Sequence, residues 1–160
     1  MSERIGIAQF AIGHKPQVLK AYGLGSCLAV ALYDPEAELG GLGHMLLPKH
    51  ARYGGVGAVG KFVDAGICQM VDALEQAGAQ RHQLVAKIAG GANMFESAHQ
   101  TLIDSIGARN ARSARETLDS LGVTLASEDV GGNRGRTVAF DLASGMLMIY
   151  CARDNSEISI

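Results

Sequence analysis

The sequence predicts an α/β layered sandwich in which two main helices cover a mostly antiparallel or mixed β-sheet. Two observations support this fold class: several short segments alternate in the manner of hairpin strands, and two longer segments each carry one apolar helical face. The chain has 160 residues, which is enough for one domain with a hydrophobic core and too few for two ordinary ones. We therefore expect a single domain over residues 1–160.

The N-terminal third is predicted to be mostly β-structure. Residues 6–10 and 17–21 have the character of two short strands. Residues 28–33 alternate in a β-branched and apolar manner, a turn follows in which Pro35 is preset for the second turn position, and an apolar segment returns over residues 39–47. These last two segments are predicted to form a β-hairpin.

Two helices are predicted from apolar residues at helical spacing. The first covers residues 58–77 and closes at Gly78, and the second is marked by apolar residues from Ala111 to Leu121 and stops at Gly122. Glycine is about twice as frequent as its usual share of roughly 7%. Because the glycines cluster at element boundaries, they indicate tight turns and close backbone approach rather than disorder. Further strands are predicted at residues 83–89, 123–127, 137–142 and 146–151.

Composition and motifs exclude several classes of function. The net charge is −2 and no Lys/Arg cluster alternates with aromatic residues, so we expect no nucleic-acid partner. No segment approaches the roughly 20 apolar residues of a membrane span, and the N-terminus lacks a secretory signal, so we expect no membrane insertion and a cytoplasmic location. The histidines other than His44 have no mate at metal-ligand spacing. Residues 131–135 lack the end of a phosphate-binding loop, which favours a turn or a loop lining the site. We expect no metal and no cofactor.

Two of the three cysteines are interpreted as structural. The cysteines are odd in number and far apart, which favours free reduced thiols. Cys68 lies four residues from both Asp64 and Asp72 on the first predicted helix, where the negative charges raise its pKa. Cys151 ends an apolar strand, which is typical of a small buried hydrophobic residue.

Cys27 has the setting of a nucleophile. It follows Gly23 and Gly25, which have no side chains and so leave the sulfur accessible. The main-chain N–H groups around Gly25 and Ser26 are then free to face a substrate and to stabilise an oxyanion. This is what a site that forms a thioester needs.

The predicted hairpin brings His44 to this thiol. With the turn centred between Pro35 and Glu36, Cys27 and His44 are cross-strand neighbours whose Cβ atoms lie about 4.5–5.5 Å apart on one face. A bulge near Gly40 would shift the register by one residue and put them on opposite faces. In the predicted arrangement the imidazole takes the thiol proton, the thiolate attacks an amide carbonyl, and water hydrolyses the thioester. The alternative is a buried cysteine and a hydrogen-bonded histidine that merely share a hairpin, and spacing alone leaves it open.

Motifs along nearly the whole chain resemble those of one family. The most specific are GLGSC at residues 23–27 and Gly43-His44. Together the motifs resemble those of the CheD family, bacterial and archaeal deamidases of chemoreceptor glutamines. The remaining ones lie at residues 33–35, 45–48, 61–65, 87–95, 106–110, 129–136 and 145–146.

The resemblance implies conversion of selected receptor glutamines to glutamates, with Cys27 as nucleophile and His44 as base. It also implies a CheD-like α/β fold resembling that of bacterial toxins that deamidate Rho proteins, and docking onto a CheC-type phosphatase. The family usually has a Thr six residues before the cysteine, thought to orient the histidine, and that position here is Ala21. His44 must then be oriented by another group, such as a main-chain carbonyl or water. Two alternatives stay open: an adaptor that binds the phosphatase or receptor helices without turnover, and a deamidase of a different protein.

Overall fold

Ten strands and two helices are present in the computed structural model, which describes residues 1–50, 58–94 and 105–160. The helices are α1 (Val63–Gln76) and α2 (Ile106–Leu121). The strands are β1 (Ser2–Arg4), β2 (Gln9–His14), β3 (Val18–Leu24), β4 (Leu28–Asp34), β5 (Leu39–Met45), β6 (Val85–Gly90), β7 (Thr124–Val130), β8 (Arg136–Asp141), β9 (Met146–Cys151) and β10 (Ser156–Ser159).

The strands form two five-stranded sheets. The first sheet has the order β1-β3-β8-β9-β10, and the second has the order β2-β5-β4-β6-β7. Neighbouring strands are antiparallel except in the parallel pairs β1/β3 and β6/β7. This confirms the predicted α/β class with two main helices, and it divides the strands between two layers.

Two hydrophobic cores hold three layers together, and β4 takes part in both. Leu28 and Val30 join the core beneath the helices, whereas Ala29 and Ala31 join the core between the two sheets. This division follows from the pleat, because alternate side chains of a strand point to opposite faces. Cys27 belongs to the core between the sheets, so the predicted nucleophile lies inside the sandwich.

The two helices begin differently from each other. α1 starts at Val63, five residues later than predicted, because Val59–Lys61 form a 3-10 turn and Phe62 is extended (φ −107°, ψ 134°). α2 begins after Ser105, whose side chain accepts a main-chain hydrogen bond of 3.1 Å, and it ends at Gly122, which is left-handed with φ 72°. The second predicted helix and its glycine stop are confirmed.

The β4/β5 hairpin is present, but its predicted register is wrong by two residues. The connection contains residues 35–38, and Asp34 closes it by accepting two main-chain hydrogen bonds of 2.9 and 3.0 Å. Ala29 therefore lies opposite His44, and Cys27 is not its direct cross-strand neighbour. Because side chains alternate with a period of two, this shift keeps Cys27 and His44 on the same face as diagonal neighbours.

One other predicted strand is misplaced, and one strand of the structure was not predicted. The predicted strand at residues 6–10 is misplaced, because β1 ends at Arg4 and β2 starts at Gln9, so the residues between them pass from the first sheet to the second. β10 has no predicted counterpart, since it is short and largely exposed and carries Ile158 as its one apolar residue. None of the helices in the described ranges is long and apolar enough to cross a bilayer.

Candidate active site

The segment around Cys27 connects β3 to β4 and is anchored on both sides of the thiol. The carbonyl of Cys27 accepts a hydrogen bond from Gly91 N–H, and that of Gly25 accepts one from Ala92 N–H, each at 2.9 Å. This close approach requires glycine at position 90, because a Cβ there would lie 2.4 Å from the Cys27 oxygen and φ is 109°. The glycine pair at the end of β6, Gly90 and Gly91, therefore supports the loop that carries the thiol.

Main-chain N–H groups beside the sulfur are available as donors. Within the described part of the chain, neither Ser26 nor Cys27 donates its N–H to a main-chain carbonyl. The N–H of Cys27 also lies close enough to its own sulfur to interact with it. Buried N–H groups without an acceptor are rare in proteins, and Cys27 is 7% exposed. These two N–H groups can stabilise an oxyanion on a carbonyl group that is bound beside the sulfur.

His44 is buried on β5 and is oriented by the main chain of Ile5. Its Nδ1 lies 3.5 Å from the Ile5 carbonyl oxygen, a long hydrogen bond in which the imidazole must donate because a carbonyl can only accept. Nε2 is then the unprotonated nitrogen, and among the described residues it is buried and has no hydrogen-bond partner. Ile5 is itself held, since its N–H donates to Lys20 O at 2.7 Å, beside Ala21. A main-chain group of this kind has no sequence signature, so Ile5 was not among the predicted site residues.

Cys27 and His44 share one face of the hairpin without being hydrogen-bonded to each other. Diagonal neighbours in a sheet are separated by roughly 7–8 Å, which is farther than the predicted direct contact. Catalytic hydrogen bonds are often absent or long before a substrate binds. Proton transfer between the thiol and Nε2 would therefore require the two side chains to turn toward each other.

Burial keeps both groups of the pair neutral. Burial raises the pKa of the Cys27 thiol, and the main-chain N–H of the same residue offsets only part of this. Burial lowers the pKa of the His44 imidazole, and the hydrogen bond to Ile5 offsets only part of that. The resting pair near neutral pH is therefore thiol and imidazole, so a nucleophilic role for this thiol would require transfer of its proton to a base.

A cleft of about 180 Å³ opens beside Ser26. Met94 forms an apolar edge of it, being 48% exposed, and its Cγ lies 3.1 Å from the position of a Cβ built on Gly25. Glycine at position 25 therefore lets Met94 rest against the loop. Neither Cys27 nor His44 lines this cleft or the larger cavity of about 280 Å³ along α2. The described residues that line the smaller cleft include Ser26, Asn93, Met94, Ser105, Ile106 and Gly107.

The glycine-rich segment 131–135 is a loop braced by Arg136. The guanidinium of Arg136, 8% exposed, donates to the carbonyls of Gly131 at 3.0 Å and Gly90 at 3.3 Å, and to a carboxylate oxygen of Asp129 at 3.1 Å. It therefore ties this loop to the glycine pair that supports Cys27.

The other two cysteines have the environments that the sequence predicts. Cys68 is exposed on α1, and partial burial first, then the charges of Asp64 and Asp72, raise the pKa of its thiol. Cys151 is buried at the end of β9. Within the described ranges, no three His, Cys, Asp or Glu side chains are grouped so as to hold a metal ion.

The fold and the site together define a class of protein. A buried thiol, a neutral imidazole on the same face and available N–H groups beside the sulfur are the parts that a thiol-dependent amidohydrolase uses, and here they lie within an α/β sandwich. The family model described as CheD chemotactic sensory transduction matches residues 46–151. The chain belongs to the CheD family.

Curated relatives match over most of the chain. A probable chemoreceptor glutamine deamidase CheD of Desulforamulus reducens is 41% identical over 91% of this chain and 88% of its own. The corresponding proteins of Clostridium novyi and Geobacter metallireducens are 42% and 43% identical, each over 91% of this chain and 90% of their own. The match to each relative covers 146 of the 160 residues of this chain, so an unmatched part that lay wholly at the N-terminus would end before Cys27. Cys27 and His44 therefore fall within the stretch shared with these relatives, although the family model begins after them.

A solved structure also superposes on this chain. The Bacillus licheniformis hypothetical protein YfiH superposes with a TM-score of 0.48 and 16% identity, covering 75% of this chain and 49% of that protein. The chain spans about half the length of that protein.

Proposed function

We propose that this chain, as a single domain of residues 1–160, is a protein-glutamine deamidase that acts on chemoreceptors in chemotaxis adaptation. Membership in the CheD family and the names of its relatives support the activity. One structural observation supports the chemistry. The Ile5 carbonyl takes the Nδ1–H of His44, which leaves the Nε2 lone pair free on a side chain that shares a face of the hairpin with Cys27.

In the first half of the proposed reaction, Cys27 attacks the side-chain amide carbon of a glutamine. His44 Nε2 takes the thiol proton, and the N–H groups of Ser26 and Cys27 stabilise the oxyanion that forms on the amide oxygen. The carbon–nitrogen bond breaks when the imidazolium gives its proton to the nitrogen, and ammonia leaves. The glutamine side chain is then held as a thioester on Cys27.

Water completes the reaction. His44 takes a proton from water, the resulting hydroxide attacks the thioester carbon, and the same N–H groups hold the second oxyanion. The carbon–sulfur bond breaks, the sulfur of Cys27 recovers a proton from His44, and a glutamate side chain leaves. One amide and one water give one carboxylic acid and ammonia, so the chemistry balances without a cofactor or a metal.

The partners follow from this substrate. We propose that the target glutamines lie on the cytoplasmic helices of chemoreceptors, which places the chain in the cytoplasm. Free thiols at Cys27, Cys68 and Cys151 suit a reducing compartment. The cleft of about 180 Å³ that Ser26 lines has room for one side chain, so a glutamine that enters through it would protrude from an exposed helix face. The exposed Met94 at its edge is an apolar contact for such a helix or for a CheC-type phosphatase.

A binding adaptor without turnover is the second candidate. Ala21 motivates it, because this buried methyl group cannot accept a hydrogen bond from His44. The Ile5 carbonyl argues for the enzyme instead, since it already takes the imidazole N–H. The two candidates differ in whether Cys27 reacts.

Mass spectrometry of receptor cytoplasmic fragments tests the proposal. Fragments are incubated with wild type, Cys27→Ala and Cys68→Ala, and each glutamine is examined for conversion to glutamate. Cys68→Ala is a matched control because it removes a free thiol that lies on α1, outside the site. We expect conversion by wild type and by Cys68→Ala, and none by Cys27→Ala.

The other outcomes select between the alternatives. Wild type that leaves every glutamine intact but binds the fragments or a CheC-type phosphatase supports the adaptor. Wild type that leaves receptor fragments intact but converts glutamines of another protein supports a deamidase with a different substrate.

A further inference from the structure

The side chain of Asn110 connects the segment that carries Cys27 to the strand that carries His44. Asn110 lies on α2 and is fully buried. Its Nδ2 donates one hydrogen bond to Ser26 O at 2.9 Å and another to Leu46 O at 3.0 Å. Ser26 immediately precedes the thiol, and Leu46 follows His44 by two residues. One amide group therefore bridges the two halves of the candidate site.

The bond to Ser26 also determines where the N–H of Cys27 points. The carbonyl of Ser26 and the N–H of Cys27 belong to the same peptide unit, which is planar and trans, so the two groups point in opposite directions. When Asn110 holds the carbonyl toward α2, the N–H is directed away from α2. This N–H is one of the two donors that the proposed mechanism uses for the oxyanion.

The neighbouring peptide units are held in the same way by main-chain groups. Ala92 N–H holds the carbonyl of Gly25, and Gly91 N–H holds that of Cys27. The peptide unit between them depends on the side chain of Asn110. It is therefore the unit whose orientation a single substitution can change.

An unsatisfied atom indicates that Asn110 serves more than packing. Its Oδ1 is buried and has no hydrogen-bond partner among the described residues. Leaving a buried acceptor unpaired costs about 1–3 kcal/mol, which an apolar residue of the same shape would avoid. What the apolar residue lacks is the pair of N–H donors that face the two carbonyls.

We propose that Asn110 is a positioning residue that directs the N–H of Cys27 toward the oxyanion. It does so by fixing the Ser26–Cys27 peptide unit relative to the strand that carries His44. The inference rests on the proposed function, because it assigns Asn110 to the same reaction. Asn110 does not touch the substrate and acts through the Ser26–Cys27 peptide unit. Its loss should therefore lower kcat with little change in KM.

Two reactions of Cys27 separate this role from a purely structural one. Deamidation passes through a tetrahedral oxyanion, whereas alkylation by iodoacetamide is a direct displacement that forms none. A misdirected N–H slows deamidation far more than alkylation, which it changes only through its small effect on the thiol pKa, while a displaced thiol or histidine changes both rates to a similar extent. The alkylation rate of Cys27, followed by peptide mass spectrometry against pH, thus serves as an internal control.

The chain also offers a matched control in Ser113. Ser113 lies one turn further along α2, is 2% exposed, and donates from Oγ to Pro48 O at 2.6 Å. It therefore ties the same helix to the chain just beyond Leu46, but it has no bond to the segment that carries the thiol.

The experiment compares wild type, Asn110→Ala and Ser113→Ala in deamidation kinetics, Cys27 alkylation and thermal unfolding. We expect Asn110→Ala to lower kcat about 10- to 100-fold, less than the roughly 10²- to 10³-fold loss caused by removing an oxyanion donor outright. Its KM should stay unchanged, and the alkylation of Cys27 should change much less than kcat. Ser113→Ala should lower the unfolding temperature and keep the wild-type kcat.

Each other result overturns the inference. Wild-type kcat in Asn110→Ala refutes it while leaving the proposed function intact, as does an equal fall of deamidation and alkylation. If Asn110→Ala is unfolded at the assay temperature, Asn110→Leu fills the space without donors and replaces it in the same comparison. A wild type that turns over no glutamine refutes the proposed function and this inference together.

Discussion

Replacing Gly107 by alanine should destabilise the protein, although alanine is the better helix former. Gly107 is the second residue of α2, and a Cβ built on it would lie 2.3 Å from Gly91 O and 2.6 Å from Ala92 O. Helix propensity favours the substitution by at most about 1 kcal/mol. Overpacking costs about 1–3 kcal/mol, toward the upper end here because both contacts are with backbone. We expect the free energy of unfolding to fall by about 2 kcal/mol.

The same substitution should slow the reaction of the protein that remains folded. The N–H groups of Gly91 and Ala92 hold the carbonyls on either side of Ser26, so a shift of α2 moves the segment that carries Cys27. A misplacement of about 1 Å near the reacting groups can lower the rate about 100-fold. We expect kcat of Gly107→Ala to fall by about one to two orders of magnitude.

Urea unfolding followed by circular dichroism, with deamidation measured below the transition, checks both effects. Gly66→Ala is the matched control, because Gly66 lies within α1 and its new Cβ would meet mainly the flexible end of Met45, with Cε at 3.0 Å. That variant should be unchanged or more stable by up to about 1 kcal/mol. If Gly107→Ala is as stable as wild type, the close packing of α2 on the glycine pair is not as described.

Three further results follow from the site. The apparent pKa of the acid limb of the kcat/KM profile against pH should lie below the usual histidine value of about 6.5, because burial lowers the pKa of His44 and keeps the base unprotonated to lower pH. An apparent pKa above that value would contradict the assignment of His44 as the base. Ala21→Thr should leave kcat nearly unchanged, because the Ile5 carbonyl oxygen already accepts the imidazole N–H. It should lower Tm, because it adds a hydroxyl at a fully buried position. A large gain in kcat would show that Ile5 does not orient His44. Arg136→Met should lower the free energy of unfolding, measured in urea, by about 2–3 kcal/mol, because it removes the guanidinium that donates to the Asp129 carboxylate and to the carbonyls of Gly90, Gly131 and Arg134. A change within error would exclude the bracing role.

The parts of the fold that were predictable carry a local signal. The spacing of apolar residues identified both helices, and Gly122 marked the end of the second because only glycine readily adopts its left-handed φ of 72°. The start of α1 was not predictable in the same way. Phe62 continues the helical spacing, but it is extended and buried, because Leu47 forms a β-bridge with it.

The hairpin shows how far spacing alone can determine geometry. Alternation correctly indicated two paired segments. The register depended on how many residues the turn contains, which Asp34 decides through its hydrogen bonds to the main chain. The resulting shift of two residues preserved the shared face of Cys27 and His44 and removed their direct pairing.

The sequence by itself predicted which residues would carry the proposed reaction, namely the thiol of Cys27 after its glycines and the imidazole of His44, because a thiol and an imidazole are the side chains with the required nucleophile and base. The tertiary structure decided what orients these groups. The Ile5 carbonyl reaches His44 from 39 positions away in the chain, and Asn110 reaches Ser26 from 84. Contacts between such distant residues form only when the two sheets and α2 pack together, so no local pattern in the sequence records them.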